Sequence, residues 1–208
     1  MNLTNDFLQF ARSRRSIRKF RKDPLPREAL QRMIEAASWA PSASNRQDWE
    51  FTAITSPPMK KRMEDIVRRC WKLILDKSQT GAIQEELQKY AKNFDWFSCA
   101  PVLLIVSAKR PEAFLSDLLG QSAEDVAGTE ISAAMAVQNL MLAAHAMGIG
   151  SCCITGPLAA QKALKELLGL GQRRKIVCLV ALGYPAEEPE APLRKPVEKI
   201  VRCIDESG

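Results

Sequence analysis

Histidine is almost missing from this chain: His145 is the only one in 208 residues. It falls inside an apolar stretch and reads as a satisfied core residue rather than a general base or metal ligand, so hydrolase chemistry has little to stand on. The six cysteines, at positions 70, 99, 152, 153, 178 and 203, contain no C-x-x-C pair, and with one histidine this excludes zinc and iron–sulfur spacings. They are expected to be buried thiols. Glycine-rich nucleotide loops are lacking too. Gly148-Ile149-Gly150 begins like a dinucleotide fingerprint, but Cys153 stands where the third glycine belongs, and there is neither a Walker loop nor a G-x-S-x-G elbow.

Long uncharged runs are equally scarce. Asp6, Arg12, Arg14 and Arg15 interrupt any apolar leader, which predicts a protein of the reducing cytoplasm. The one stretch free of acid, lysine and arginine, from Ile131 to Ile154, approaches the ~20 residues of a membrane span. Gln138, Asn139 and His145 lie within it, and Gly148 and Gly150 break it. Residues 126–147 are therefore expected to form a helix apolar all round, buried in the core or a subunit interface. The net charge of +6 is spread along the chain without a nucleic-acid motif or aromatic–basic alternation, so neither nucleic acid nor membrane is expected as a partner. Small anionic ligands are a simpler outlet for that charge.

What remains is an ordinary globular composition, 46% hydrophobic and 26% charged, enough for one domain over 1–208. Periodicity predicts helices at about 4–13, 26–39, 57–76, 81–92, 126–147 and 158–168, and strands at about 49–55, 101–108, 150–154 and 175–182. The expected class is α+β. Pro185, Pro189, Pro192 and Pro196 forbid a regular helix in residues 185–208, which must run extended.

Two short runs carry chemistry. In Arg14-Arg15-Ser16-Ile17-Arg18-Lys19-Phe20, five of seven residues are Arg, Lys or Ser, able to converge on one phosphate. Such a run is also what a solvated helix end looks like, but Ile17 and Phe20 are interleaved and would fix the arginines against the domain. In Ala40-Pro41-Ser42-Ala43-Ser44-Asn45-Arg46-Gln47-Asp48-Trp49, polar donors and acceptors follow a helix that Pro41 ends and precede a strand. An ordinary turn has the same composition.

In this order and spacing the pair resembles the nitroreductase family of FMN-dependent oxidoreductases, whose members carry an RRSIR-like run and an APSxxNxQPW-like loop. Asp48 stands where that family usually has proline. The resemblance extends to the segment from Gly128 to Gly156, to Val177–Pro185 with its Leu-Gly-Tyr-Pro ending, and to Pro192-Leu193-Arg194-Lys195-Pro196. It implies a nitroreductase-like fold, with a mostly antiparallel central sheet flanked by helices, and a homodimer whose arm, residues 185–208, embraces the partner subunit. A lid is implied near Lys109–Gly128.

The resemblance also implies roles. Arg14, Arg15, Ser16 and Arg194 would meet the FMN phosphate and ribityl end, and Arg18 the N1–C2 carbonyl edge, where a cation stabilises reduced flavin. Pro41, Ser42, Ala43, Asn45 and Gln47 would come from the other subunit, and Ile154, Thr155 and Gly156 would face flavin N5. The implied reaction is ping-pong hydride transfer from NADH or NADPH through N5 to a nitroaromatic, quinone or related small acceptor. No side chain need act as acid or base, and no metal is required. Dehalogenation, ene reduction, flavin cleavage and a non-catalytic flavin-binding role are the alternatives within reach of the same site.

Overall fold

The protein is described by a computed structural model that covers residues 3–77, 81–91, 96–109 and 128–204. Four strands form one sheet in the order β1-β2-β4-β3, every neighbouring pair antiparallel: β1 (Trp49–Ile54), β2 (Val102–Lys109), β3 (Gly150–Ile154) and β4 (Arg174–Gly183). The two inner strands read in sequence as nearly unbroken apolar runs, as strands covered on both faces must. In β2, Val102 to Ala108 are all buried.

Helices cover both faces. On one lie α2 (Arg27–Ser38) and α5 (Gly128–Ala146), packed on Val102, Leu104, Val106, Val180 and Leu182. On the other, α3 (Pro57–Lys77) and α6 (Gln161–Leu168) pack on Leu103, Ile105, Leu179 and Ala181. α1 (Leu3–Ser13) precedes the basic run, and α4 (Gly81–Ala91) follows α3. Punctuation residues set the ends. Pro57 and Pro58 open α3 where their missing N–H groups cost nothing, with the Ser56 hydroxyl accepting from the Met59 N–H at 3.4 Å.

The expected elements are all present within a residue or two, except that the helix expected at 158–168 is a 3₁₀ turn over Gly156–Ala160 followed by α6. α5 has apolar residues on every side, and a stripe containing Ile131, Ala134 and Met135 remains exposed. The expectation of buried thiols holds only for Cys152 and Cys178. Cys153 on the edge strand β3, Cys99 at the end of a 3₁₀ turn and Cys203 on the arm are exposed, and Cys70 on α3 is half-buried. The lid expected at 109–128 falls almost wholly outside the described residues.

Candidate functional site

After α1 the basic run lies across the ends of β3 and β4. The Ile17 N–H donates to Ser151 O at 3.0 Å, Arg21 N–H to Tyr184 O at 2.9 Å, and Ala186 N–H to Lys19 O at 2.9 Å. Two glycines make room. Gly150 and Gly183 are directly paired across β3 and β4; a Cβ on the first would sit 2.9 Å from Ile17 and one on the second 2.9 Å from Phe20. The two apolar residues of the run therefore face inward, as their interleaving predicts, and fix the cations between them.

Beside the run opens a cleft of about 610 Å³, walled by Arg14, Arg15, His145, Ile149, Glu187 and Glu188 among others. Arg14 Nη1 is buried without a hydrogen-bond partner, and it is the one such side-chain nitrogen or oxygen among the described residues. A buried guanidinium N–H left unpaired is costly, so an anion in the cleft would relieve a real deficit. Arg15 is differently engaged: its Nη1 donates to Arg12 O and Arg14 O, holding the end of α1. Arg18 Nη1 donates to Ser16 O at 3.4 Å.

Cys152 and His145 report the local field. Burial pushes the Cys152 thiol above its ordinary value, against the opposing pull of Arg18, of Arg14 and of a hydrogen bond with Ser16. Burial, then Arg14 and Arg15, hold the His145 imidazole below its usual value. The ring is half-buried, with Nε2 2.7 Å from Ser13 Oγ and its face 4.9 Å from that of Phe10. His145 is thus a wall residue of the cleft rather than the core residue its apolar helix suggests.

The second run sits elsewhere. The Ala43 N–H donates to the Ser132 hydroxyl at 3.3 Å, which itself donates to Gly128 O at 2.6 Å, pinning the loop to the start of α5. Ser42 organises the loop: its carbonyl accepts the Asn45 N–H at 2.9 Å and its hydroxyl the Gln47 N–H at 3.1 Å. Gln47 Nε2 donates to Asn45 Oδ1 at 3.2 Å. Ser44, Asn45 and Gln47 all have left-handed backbone, with φ of 53°, 52° and 50°, and no other non-glycine residue among those described does. Asp48 pairs with Arg46 at 3.0 Å.

Two groups of the expected site residues emerge. Arg14, Arg15, Ser16 and Arg18 lie at the start of β3 and Ile154, Thr155 and Gly156 at its end, about 13 Å along one sheet edge. There Thr155 is exposed, and Gly156 O accepts the Trp71 indole N–H at 3.1 Å. Pro41, Ser42, Ala43, Asn45 and Gln47 lie at the opposite end of α5, a 19-residue helix about 28 Å long. One chain does not unite the two groups. Arg194 stands exposed on the arm and bonds to neither among the described residues. Sequence reasoning missed Glu187, which follows the Leu-Gly-Tyr-Pro ending of β4 and has no local pattern to mark it.

Among the described residues, no cluster of His, Cys, Asp or Glu could hold a metal ion, and no helix is long and apolar enough to cross a membrane. The chain matches the Nitroreductase family over residues 11–184. It is similar to the NADH dehydrogenase of Thermus thermophilus, 32% identical over 200 residues that cover 92% of each protein. Among solved structures it resembles a BluB-like flavoprotein from Clostridium difficile 630, with a TM-score of 0.82 at 27% identity, covering 99% of this chain and 100% of the other. It also resembles oxidized iodotyrosine deiodinase bound to FMN and 3-iodo-L-tyrosine, with a TM-score of 0.75 at 25% identity, covering 95% and 98%. With an antiparallel α+β fold, a basic run braced on the sheet edge and a family match across most of its length, this chain belongs to the nitroreductase family.

Proposed function

We propose that the protein is an FMN-dependent oxidoreductase that uses NADH or NADPH to reduce a nitroaromatic, quinone or related small acceptor, acting as a homodimer in the reducing cytoplasm. The observation that carries this reading is the buried, unpartnered Arg14 Nη1 in the wall of the cleft beside β3. Its chemistry suits a phosphate: a guanidinium fork with a serine hydroxyl two residues on. A flavoprotein and an FMN-bound enzyme among the similar structures support the choice of FMN over another phosphate ester. The Thermus relative's name supports a nicotinamide donor.

In this reading Arg14, Arg15 and Ser16 bind the phosphate and ribityl end, joined by Arg194 from the arm. Arg18 supplies positive charge at the N1–C2 edge, and the Ile154–Gly156 turn supports the ring near N5. When bound, FMN supplies the two-electron chemistry at N5, and the protein's part is position and electrostatics. Pro41, Ser42, Ala43, Asn45 and Gln47 serve the site of the other subunit. The 28 Å helix between the two groups supports this division, and so does the exposed apolar stripe on α5, which a second copy would cover. The single domain spans 1–208, with its arm around the partner, where Leu193, Val197 and Ile200 find cover.

Purified protein should be yellow with an FMN spectrum that NADH or NADPH bleaches anaerobically. A colourless protein that takes up no added FMN would sink the reading. Arg14→Ala should raise the FMN dissociation constant by roughly tenfold or more while the melting temperature holds, since a charged hydrogen bond is lost without a core defect. The likeness to iodotyrosine deiodinase favours reductive dehalogenation as a second reading. Halide release from 3-iodotyrosine under reducing conditions, measured beside nitroaromatic and quinone turnover, separates the two.

A further inference from the structure

Glu187 occupies an unexpected place for an acid. With Glu188 it lines the same cleft as Arg14 and Arg15, where a negative charge opposes any anionic ligand. Its carboxylate is already engaged: Oε1 accepts the N–H of Arg18 at 2.6 Å and that of Lys19 at 3.0 Å. Two consecutive amides on one ionised oxygen form a strong, directional grip, about twice as strong per bond as between neutral groups. The neighbouring Ala186 N–H to Lys19 O bond and the Phe20–Pro185 bridge place the two segments side by side. On its other flank the run is tied to β3 by the Ile17 N–H to Ser151 O and by Ser16 to Cys152.

We propose that Glu187 is the positioning residue of the anion cleft: its carboxylate holds the Arg18–Lys19 backbone and thereby aims Arg14, Arg15 and Ser16, earlier in the same run, at a phosphate group. The grip is a geometric contribution that, in this proposal, outweighs the carboxylate's own repulsion of an anionic ligand. This inference rests on the flavin reading above. It makes a prediction of opposite sign to simple charge bookkeeping, by which removal of an acid from an anion site tightens binding.

The test compares FMN with riboflavin, which lacks the phosphate, by flavin fluorescence on wild type, Glu187→Ala, Glu187→Gln and Glu188→Ala. Glu187→Ala should weaken FMN about tenfold and riboflavin by much less, whereas Glu187→Gln, which keeps an acceptor oxygen, should recover most of the loss. Glu188→Ala, which removes a charge from the same wall but no bond, should not weaken FMN. The proposal is overturned if Glu187→Ala binds FMN as tightly as wild type or tighter, or if it weakens FMN and riboflavin alike. If wild type binds no FMN, the flavin reading itself fails. Amide exchange then still reads the clamp, which is overturned unless Arg18 and Lys19 exchange faster in Glu187→Ala while Ile17 does not.

Discussion

Leaving a side chain off at two paired positions is what lets the basic run lie flat on the sheet. A methyl group at Gly150 would meet Ile17 Cβ and Cγ1 at 2.9 Å, at the root of that side chain rather than its flexible end, so Ile17 would have to shift as a whole. Gly150→Ala should therefore cost about 1–3 kcal/mol in urea unfolding and also weaken FMN, because lifting Ile17 moves Arg14 and Ser16 with it. Loss of stability with flavin affinity intact would separate the run from the site. The imidazole at 145 yields a pH prediction. Burial and two arginines hold it below its ordinary value, so the unfolded chain protonates first and stability falls as pH drops below about 6.5, levelling off once the folded imidazole is charged. That slope should vanish in flavin-free His145→Gln, followed by melting temperature between about pH 7.5 and 5.5. Equal slopes in both proteins would assign it to another group.

Some residue-scale features were legible and some were not. The inward turn of Ile17 and Phe20 follows from their interleaving with charge. The left-handed backbone at Ser44, Asn45 and Gln47 does not, since glycine is the residue that marks such positions and none is present. Keeping side chains there costs roughly 1–2 kcal/mol each, which is consistent with a loop whose polar groups have work to do. Asp48 is explained by the same loop. It pairs with Arg46 at 3.0 Å across the left-handed Gln47, a contact that proline, which the family usually has at this position, could not make.

Among the elements, α3 carries the strongest polar anchorage. Lys60, buried in the first turns, donates through Nζ to Ala100 O and to Pro101 O, the latter at 3.1 Å, fastening the entry to β2. One turn on, buried Glu64 accepts from Lys61 and Arg68, each at 2.6 Å, and from the Ser98 hydroxyl. Lys60→Met keeps the bulk but leaves two carbonyls unpaired, so it should lose about 2–4 kcal/mol in denaturant unfolding. A loss below about 1 kcal/mol would mean that water replaces the ammonium. Element positions were readable because prolines at 24, 26, 41, 57 and 58 punctuate strongly periodic segments. The Lys60 and Glu64 anchors were not, because a lysine and a glutamate four apart on a helix look the same whether they face solvent or a neighbouring loop.

At the scale of the whole molecule, the two halves of the expected site were legible as motifs, but their separation along α5 was not. Sequence order places both runs before residue 50, and only the three-dimensional path reveals that a helix length divides them. If a second copy closes the site, Met135→Glu should convert the dimer to monomer in sedimentation equilibrium and lose flavin in parallel, since Met135 lies on the exposed stripe far from Arg14. A flavin-replete monomer would refute the shared site.

The strand order also bears on how the molecule comes into being. β4 is the last strand of the described chain to be synthesised, yet it lies between β2 and β3, which share no ladder of their own. Until residues 174–187 leave the ribosome, β3 has no strand of the sheet to pair with, and neither Gly183 nor Glu187 is available to seat the basic run. The sheet must close around its newest member, a non-local step of the kind that slows folding and exposes unpaired edges to aggregation. On the flavin reading, cofactor loading is thereby deferred to a nearly finished chain, and a translation stall short of residue 174 would leave a polypeptide with both sequence motifs and no place to put a phosphate.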